Sequence, residues 1–243
     1  MSSSQDAQAL PYNYVGEELE LFANANNWKA YFAAVLRDVI VGDVLEVGAG
    51  IGETTRRLLD GRQRSWLCLE PDPRLAATAT QWAKSAALSP RPEVKVGTTA
   101  DFEASPRFDA ILYIDVLEHI EHDREEVERA AALLAPGGNL VVLSPAFQQL
   151  FSEFDRSVGH YRRYTRASLA AVMPASLRRR TLRYLDCVGF LASLSNRLLL
   201  RQGLPTRGQV ALWDGAMIPV SRIVDPLFTR WFGRSVLAVY QRV

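Results

Sequence analysis

The sequence predicts an α/β fold, a doubly wound sheet whose strands are mainly parallel. Two observations lead to this prediction. Short apolar runs, typical of buried strands, alternate with segments that carry apolar residues at helical spacing. The first run ends in a glycine-rich turn that opens a helix, as in a right-handed βαβ unit. A chain of 243 residues, 48% of them hydrophobic, is long enough to bury one substantial core.

The first half of the chain supplies most of the predicted sheet. Residues 12–36 carry aromatic and aliphatic side chains at helical spacing and predict one or two helices before the first strand. Five parallel strands are predicted from the apolar runs at 43–47, 65–69, 93–96, 109–114 and 139–144. Helices are predicted between them at 54–59, 71–87 and 123–134. Proline near the start of the second helix and Pro-Gly-Gly after the third are usual signals of helix ends.

The second half predicts a different arrangement. A helix at 165–173 has Thr165 as its N-cap, and strands are predicted at 180–185 and 236–240. Residues 187–233 are apolar and punctuated by proline, which predicts a helical insertion between the last two strands. The chain is therefore expected to divide into an N-terminal helical cap, a core, a lid and a final core strand, at 1–40, 41–186, 187–233 and 234–243.

Composition excludes several classes of protein. The 28 basic and 27 acidic side chains nearly balance, which argues against a nucleic-acid-binding protein. Cys68 and Cys187 are too few for a disulfide framework or a zinc cluster, so we expect reduced, buried thiols. No signal peptide is recognisable, and the longest apolar stretch is shorter than the about 20 residues of a membrane span. We expect a cytoplasmic monomer or homodimer, without nucleic acid and without stable membrane insertion, although peripheral membrane contact stays open.

The strongest motif is a glycine-rich turn after the first strand. Gly48, Gly50 and Gly52 stand in the sequence EVGAGIG, where the absence of side chains lets a ligand approach the backbone closely. The spacing differs from the dinucleotide fingerprint. Glu70 ends the second strand about 20 residues later, where a carboxylate can accept hydrogen bonds from ribose hydroxyls.

Two further segments follow predicted strands. Asp101 and Phe102 come after the third strand, placed to flank an adenine ring; the alternative for Asp101 is a helix cap. Asp115-Val-Leu-Glu-His119 comes after the fourth strand, at the sheet edge where ligands of such folds bind. These segments therefore predict a nucleoside site at the carboxyl ends of the strands.

With these motifs in order, residues 43–145 resemble class I S-adenosylmethionine-dependent methyltransferases of the small-molecule type, similar to methyltransferase types 11 and 12. VLEVGAGIG, Glu70, DAILYIDVLEHI and LAPGG carry the resemblance. It implies a Rossmann-like sheet of seven strands with an antiparallel last strand, and S-adenosyl-L-methionine as cofactor. Rival classes lack their signatures: no tyrosine has lysine four residues later, and neither Gly-Lys nor G-x-S-x-G occurs.

The resemblance also implies a set of cofactor contacts. The three glycines would line the methionine and ribose, with Glu46 near the methionine amino group through water or its backbone. The acidic residue after the second strand would bind the ribose, and the Asp-Phe pair would meet the adenine. Asp115 would border the methyl group, and the N-terminal cap would close over the cofactor. The implied cofactor-binding residues are Tyr14, Glu46, Gly48, Gly50, Gly52, Glu70, Pro71, Asp101, Phe102 and Asp115.

The segment GHYRRYT at 159–165 resembles one that lies over the acceptor pocket in the same group. Candidate substrate-binding residues are Tyr12, His119, His160, Arg162, Arg163 and Tyr164. An acceptor hydroxyl or protonated amine must lose a proton, and His119 or His160 could take it, with Asp115 as third choice. Helix capping by His119 and loop hydrogen bonding by His160 are the alternatives. No metal site is predicted, because His119 and His122 stand three residues apart with no further ligand pattern around them.

Charge is distributed unevenly along the chain. Residues 146–243 hold 15 basic and five acidic side chains, a net charge of +10, and every basic residue there is arginine. Arginine binds carboxylates and phosphates in a bidentate manner, so the pattern favours an anionic acceptor. A solvated or ion-paired surface is the alternative.

The sequence therefore predicts methyl transfer to an O, N or C atom of a small, anionic metabolite. Two alternatives stay open: a non-catalytic cofactor-binding or scaffold protein of the same fold, and a methyltransferase for a membrane-associated lipid or glycan intermediate. The second alternative is based on residues 188–201, which could form either a helix lying at a membrane interface or an ordinary lid helix packed on the core. The identity of the acceptor does not follow from the sequence.

Overall fold

Seven strands form a single sheet in the computed structural model, which describes residues 21–103, 105, 107–197 and 205–243. The spatial order of the strands is β3-β2-β1-β4-β5-β7-β6. Strands β1 to β5 run parallel, and β7 is antiparallel to both of its neighbours. The predicted fold class is thereby confirmed. The strands are β1 (Gly42–Val47), β2 (Gln63–Glu70), β3 (Glu93–Val96), β4 (Phe108–Ile114), β5 (Leu134–Pro145), β6 (Leu177–Leu185) and β7 (Ser235–Arg242).

Helices cover both faces of this sheet. A π-helical turn, Trp213–Met217, joins the last two. The helices are α1 (Asn26–Leu36), α2 (Thr55–Leu58), α3 (Pro73–Ser85), α4 (Asp123–Leu133), α5 (Glu153–Ser157), α6 (Arg166–Val172), α7 (Cys187–Ser195), α8 (Arg207–Leu212) and α9 (Ile218–Phe228). Among the described residues, none of the helices has the length and apolar content needed to cross a bilayer.

Local sequence signals explain where the helices begin. Asp72 caps α3 by accepting hydrogen bonds from the amides of Arg74 and Leu75, and proline occupies the first helical position. Thr165 caps α6 as predicted, accepting a hydrogen bond from the Ser168 amide at 3.1 Å. These caps satisfy amides that have no partner inside the helix.

Some predicted boundaries differ from the structure. Strand β5 begins at Leu134, five residues before the predicted start, so Pro-Gly-Gly lies within the strand. Phe108 pairs with Leu134 while Ala110 pairs with Asn139, and the extra residues bulge around Gly137, whose φ is 79°. The helix predicted over 54–59 is a single turn, and the part of the first predicted helix before residue 21 lies outside the described residues.

The C-terminal insertion packs on α1 above one face of the sheet. The carboxylate of Asp214 accepts hydrogen bonds from the amides of Asn27 and Trp28 at 3.1 and 2.8 Å. The hydroxyl of Tyr31 donates to Asp225 at 2.7 Å. Because these carboxylates are buried, they hold α1 and the insertion together as one unit near the carboxyl ends of the strands.

Candidate active site

A cavity of about 220 Å³ opens at the carboxyl ends of β1 and β4. Its lining includes residues 48–51 after β1, together with Ile114 at the end of β4 and Asp115 directly after it. This is the sheet edge at which ligands of doubly wound folds bind. Aromatic side chains form the apolar part of the wall. They come from α1 and the residues before it, from α5 and from the insertion: Phe22, Trp28, Phe32, Phe154 and Trp213.

The glycine-rich turn requires glycine on steric grounds. Gly48, Gly50 and Gly52 have φ values of 68°, 56° and 86°, in the region that side chains disfavour. A Cβ atom on Gly48 would lie 2.6 Å from a methyl group of Val116, and one on Gly52 would lie 2.9 Å from the ring of Trp82. The turn is therefore held tightly between the segment after β4 and α3.

Glu70 lies against this turn, as its position after β2 predicts. One carboxylate oxygen accepts a hydrogen bond from the Gly50 amide at 2.7 Å, and the other accepts one from the Asp72 amide at 2.9 Å. Burial raises the pKa of Glu70. The carboxylate is thus oriented by backbone amides, although it is not among the residues that line the cavity.

Glu46 points away from the cavity, into the core on one face of the sheet. It accepts hydrogen bonds from the Thr55 hydroxyl at 2.6 Å and from the Trp66 indole at 2.9 Å. Burial raises its pKa to about 7. The side chain of Glu46 therefore does not line the cavity, and its contact with the methionine amino group through water or its backbone stays a prediction.

The predicted adenine contacts also lie outside the cavity lining. Asp101 is exposed and accepts a hydrogen bond from the Thr98 amide at 2.6 Å, as the third residue of a turn that Thr98 caps. Phe102 packs edge to face against Phe108, with ring centroids 6.2 Å apart. Pro71 is half-buried between β2 and α3.

Three ionisable residues follow β4 within five positions. Asp115 and His119 line the cavity, and Glu118 is fully buried beside them. Asp115 has a φ of 54°, an uncommon value for a residue with a side chain, and its amide donates to Leu143 on β5. Asp115 is exposed to the solvent of the cavity, whereas partial burial lowers the pKa of His119 to about 3.

A second group comes from the segment after β5. His160 and Arg163 line the cavity, and both bind Asp155 on α5. Nδ1 of His160 lies 2.8 Å from Asp155 Oδ1, and the guanidinium of Arg163 binds both carboxylate oxygens at 2.7 and 2.9 Å. Burial works to raise the pKa of Asp155, but these hydrogen bonds hold it well below its ordinary value. The rings of His119 and His160 meet edge to face, 4.5 Å apart.

The structure unites some of the predicted acceptor residues and separates others. Arg162 lies 2.7 Å from Asp123, and the Tyr164 hydroxyl donates to the same carboxylate at 2.7 Å. Because Asp123 holds both side chains at the start of α4, neither lines the cavity, contrary to the prediction for this segment. Tyr12 and Tyr14 lie outside the described residues.

Sequence reasoning missed several cavity residues, and Arg234 is the most important. Its guanidinium lies 4.3 Å from the centre of the Trp213 ring and 5.8 Å from that of Phe22. Burial lowers its pKa, and among the described residues it forms no ion pair within 4 Å. Nothing in the sequence distinguishes it from the other arginines of the C-terminal segment. Lys29, which donates to the Ala23 carbonyl at 2.6 Å, was also missed.

One family model matches part of the chain. Residues 45–140 match the family model described as a methyltransferase domain. No curated protein matches the chain.

Similar solved structures cover nearly the whole chain. A chain of the complex between the Haloferax volcanii Trm112 methyltransferase activator and a methyltransferase has a TM-score of 0.61 and 17% identity, covering 94% of this chain and 99% of that one. The N-methyltransferase NodS from Bradyrhizobium japonicum WM9, in complex with S-adenosyl-L-homocysteine, has a TM-score of 0.58 and 16% identity, with coverages of 95% and 93%. The cyclase SpnF has a TM-score of 0.60 and 13% identity, with coverages of 94% and 94%. At these identities the likeness shows a shared fold.

The match of residues 45–140 to a methyltransferase domain therefore supports the predicted resemblance to class I methyltransferases. This domain indicates S-adenosylmethionine as the cofactor, in agreement with the sequence. The residues present fit that molecule: a cavity lies over a turn of glycines with positive φ, and a backbone-oriented carboxylate stands next to the turn.

Changing Gly48 to alanine tests the steric role of the turn. We expect Gly48→Ala to weaken S-adenosylhomocysteine binding by at least about tenfold, because the turn must move away from Val116 to accept the new methyl group. Gly137→Ala is the matched control, since Gly137 also has a positive φ but has no atom within 4 Å of its Cβ position. Calorimetric titration measures both, and equal affinities of the two variants would contradict the steric argument.

The buried Glu46 predicts a pH dependence of stability. Its pKa is about 7 in the folded chain, against an ordinary value of 4.5, so the folded state binds this proton more tightly than the unfolded state. Stability should therefore fall as pH rises between these values, by about 3 kcal/mol from this group. In Glu46→Gln that decrease should disappear, which urea unfolding at several pH values measures. The exposed Glu93→Gln serves as control, and parallel pH profiles of wild type and Glu46→Gln would refute the assignment.

Proposed function

We propose that this protein transfers a methyl group from S-adenosylmethionine to a small acceptor bound in the cavity. One observation carries the proposal. The glycine-rich turn and the ionisable residues Asp115, His119 and His160 line the same space of about 220 Å³. A methyl group held at the turn would therefore meet an acceptor held among those side chains. NodS, a relative in fold, is an N-methyltransferase seen with S-adenosylhomocysteine, which supports the same cofactor here.

The cofactor, when bound, supplies a methyl group activated by a sulfonium centre. Glu70 would accept hydrogen bonds from the ribose hydroxyls, because the Gly50 and Asp72 amides already orient its carboxylate. Lys29 lies in the cavity wall and would pair with the methionine carboxylate. Glu46 would act indirectly, by holding Thr55 behind the turn. Adenine contacts from Asp101 and Phe102 stay predictions.

The remaining work of the protein is to hold the acceptor in line with the methyl group, at about 3–3.5 Å. Asp115, His119 and His160 are the groups we propose to surround the reacting atom, because they line the part of the cavity that follows β4 and β5. The aromatic wall would exclude water from this region. In this mechanism the protein positions both reactants, and one of these three side chains accepts the proton that leaves the acceptor.

Arg234 supports an anionic acceptor. Its guanidinium lies over two aromatic rings in a half-buried wall and has no ion-pair partner within 4 Å among the described residues. Such a cation favours a negatively charged ligand. Arg234 immediately precedes β7, so we assign it to the part of the cavity that would hold the acceptor. Arg163, by contrast, is engaged by Asp155 and has less of its charge available.

The proposed reaction is tested by formation of S-adenosylhomocysteine from S-adenosylmethionine with matched panels of anionic and neutral small acceptors. We expect turnover with an anionic acceptor, and Arg234→Gln should lower kcat/KM by about 10–100-fold, corresponding to the loss of a charged contact. Affinity for S-adenosylhomocysteine should change less than about twofold. Arg230→Gln, on the exposed surface, is the control. Intact cofactor binding without turnover would favour the non-catalytic alternative, and a parallel loss of cofactor affinity in Arg234→Gln would contradict its role toward the acceptor.

A second candidate function is methylation of an acceptor carried at a membrane surface. Helix α9 exposes Val220, Ile223 and Leu227 on one face, and Trp231 continues that face beyond the helix. The exposed fractions of Ile223, Leu227 and Trp231 are 78%, 69% and 66%. An apolar helix face with arginines beside it is typical of helices that lie on anionic lipid. Helix α9 packs against α7, where Phe190 contacts Phe147 and Phe232. The last residues of the predicted segment 188–201 lie outside the described residues.

Vesicle co-sedimentation tests this second function. We expect the full chain to pellet with phosphatidylglycerol vesicles at low salt and much less with phosphatidylcholine vesicles, because both apolar contact and charge contribute. Ile223→Glu with Leu227→Glu should abolish pelleting. Val96→Glu is the control, since Val96 is 60% exposed on β3, away from α9. Equal pelleting of the two variants, or none by wild type, would remove the membrane function.

A further inference from the structure

The cluster beside the cavity has the composition of a metal site. Within the described part of the chain, Glu118, His119 and His160 form one group whose candidate ligand atoms all lie within 4.8 Å of one another. They come from two segments, since His160 follows the other two by about 40 positions. Two imidazoles and a carboxylate are donors that suit Mn²⁺, Fe²⁺, Co²⁺ and Zn²⁺.

Glu118 provides an independent sign that something is bound here. Its side chain is fully buried, and one oxygen, Oε2, accepts a hydrogen bond from the Ser144 hydroxyl at 2.9 Å. The other oxygen, Oε1, has no hydrogen-bond partner and lies 3.9 Å from Nε2 of His160. A buried carboxylate oxygen without a partner is costly, and a cation between Oε1 and the imidazole would remove that cost.

The surrounding hydrogen bonds orient the imidazoles as metal ligands. Nδ1 of His160 lies 2.8 Å from Asp155, so a proton on Nδ1 leaves the Nε2 lone pair directed toward Glu118. Arg163 holds Asp155 in turn with two hydrogen bonds. His119 is hydrogen bonded to the backbone carbonyl of Val158, which fixes its tautomer in the same manner. Carboxylates and carbonyls behind ligating histidines are a regular feature of metal sites.

The position of the cluster makes it suitable for catalysis. His119 and His160 line the cavity together with Asp115, so an ion held by the three ligands would face the acceptor space. Three protein ligands with an open position are typical of catalytic metal sites, whereas structural sites are closed by four.

We propose that Glu118, His119 and His160 bind a divalent cation that receives an oxygen atom of the acceptor. The inference rests on the proposed function and narrows it to acceptors with a hydroxyl group. The hydroxyl gives its proton to Asp115, which lines the same cavity, when its oxygen binds the cation. The oxygen then forms a bond to the methyl carbon while the carbon–sulfur bond breaks, and the sulfur keeps the electron pair as neutral S-adenosylhomocysteine.

Metal binding is tested directly on the chelator-treated full chain. Titration with Mn²⁺, followed by electron paramagnetic resonance, should give one bound ion per chain. His160→Ala and Glu118→Gln should weaken binding by at least about tenfold, and Asp155→Asn, a positioning variant, by about 10–100-fold. His122→Ala is the matched control, because His122 is exposed at the start of α4 and outside the cluster. S-adenosylhomocysteine titration on each variant shows that the fold and cofactor site are intact.

A second measurement covers the case in which a variant folds poorly. Mn²⁺ should raise the thermal midpoint of wild type and of His122→Ala, and leave that of Glu118→Gln unchanged. Absence of Mn²⁺ and Zn²⁺ binding by wild type, or equal binding by His160→Ala and His122→Ala, would overturn the inference. Methyl transfer that persists after chelation would also overturn it while leaving the proposed function intact. Bound metal without any methyl transfer would support the site and refute the reaction.

Discussion

The contact between Val116 and Gly48 is the constraint on which the rest of the site depends. The two segments approach so closely that a Cβ atom on Gly48 would lie 2.6 Å from the valine methyl group. The same turn after β4 binds β5 through Glu118 and Ser144, and its Glu118 carbonyl accepts a hydrogen bond from the Tyr161 amide. One short turn therefore fixes the cofactor loop, the central sheet and the acceptor segment relative to one another.

The helical insertion completes the cavity through buried carboxylates rather than through apolar packing alone. Asp214 caps α1, and Asp225 accepts hydrogen bonds from Tyr31 and from the amides of Asp186 and Cys187. Each of these groups is buried, so the hydrogen bonds specify one arrangement of the insertion on the core. The cavity is consequently formed before any ligand binds. Ligand binding therefore costs less conformational entropy than it would if the insertion had to become ordered. Within the described part of the C-terminal segment, Arg163 and Arg234 bring positive charge to the cavity lining.

Much of the sheet could be predicted because buried parallel strands form continuous apolar runs, and the glycine turn could be predicted because positive φ values select glycine. The contact between Glu118 and His160 could not be predicted from the sequence, because it depends on how the segment after β5 folds back toward the end of β4. The surroundings of Glu46 are a second feature that the sequence could not predict. Alternation along β1 turns its side chain into the core beside Trp66, although its position in the motif suggested the cofactor. The position of Arg234 in the cavity wall is a third such feature, because its packing on Trp213 distinguishes it from other arginines.

In the mechanism that we propose, one cavity joins the glycine turn to the cluster of Asp115, His119 and His160. A crystal structure of the full chain with S-adenosylhomocysteine tests this most directly. We expect the ribose hydroxyls at the Glu70 carboxylate, the amino acid end over Gly48, and the sulfur directed toward Asp115 and His160, with acceptor space remaining beyond it. Binding of S-adenosylhomocysteine elsewhere, or with its sulfur directed away from Asp115 and His160, would contradict the account.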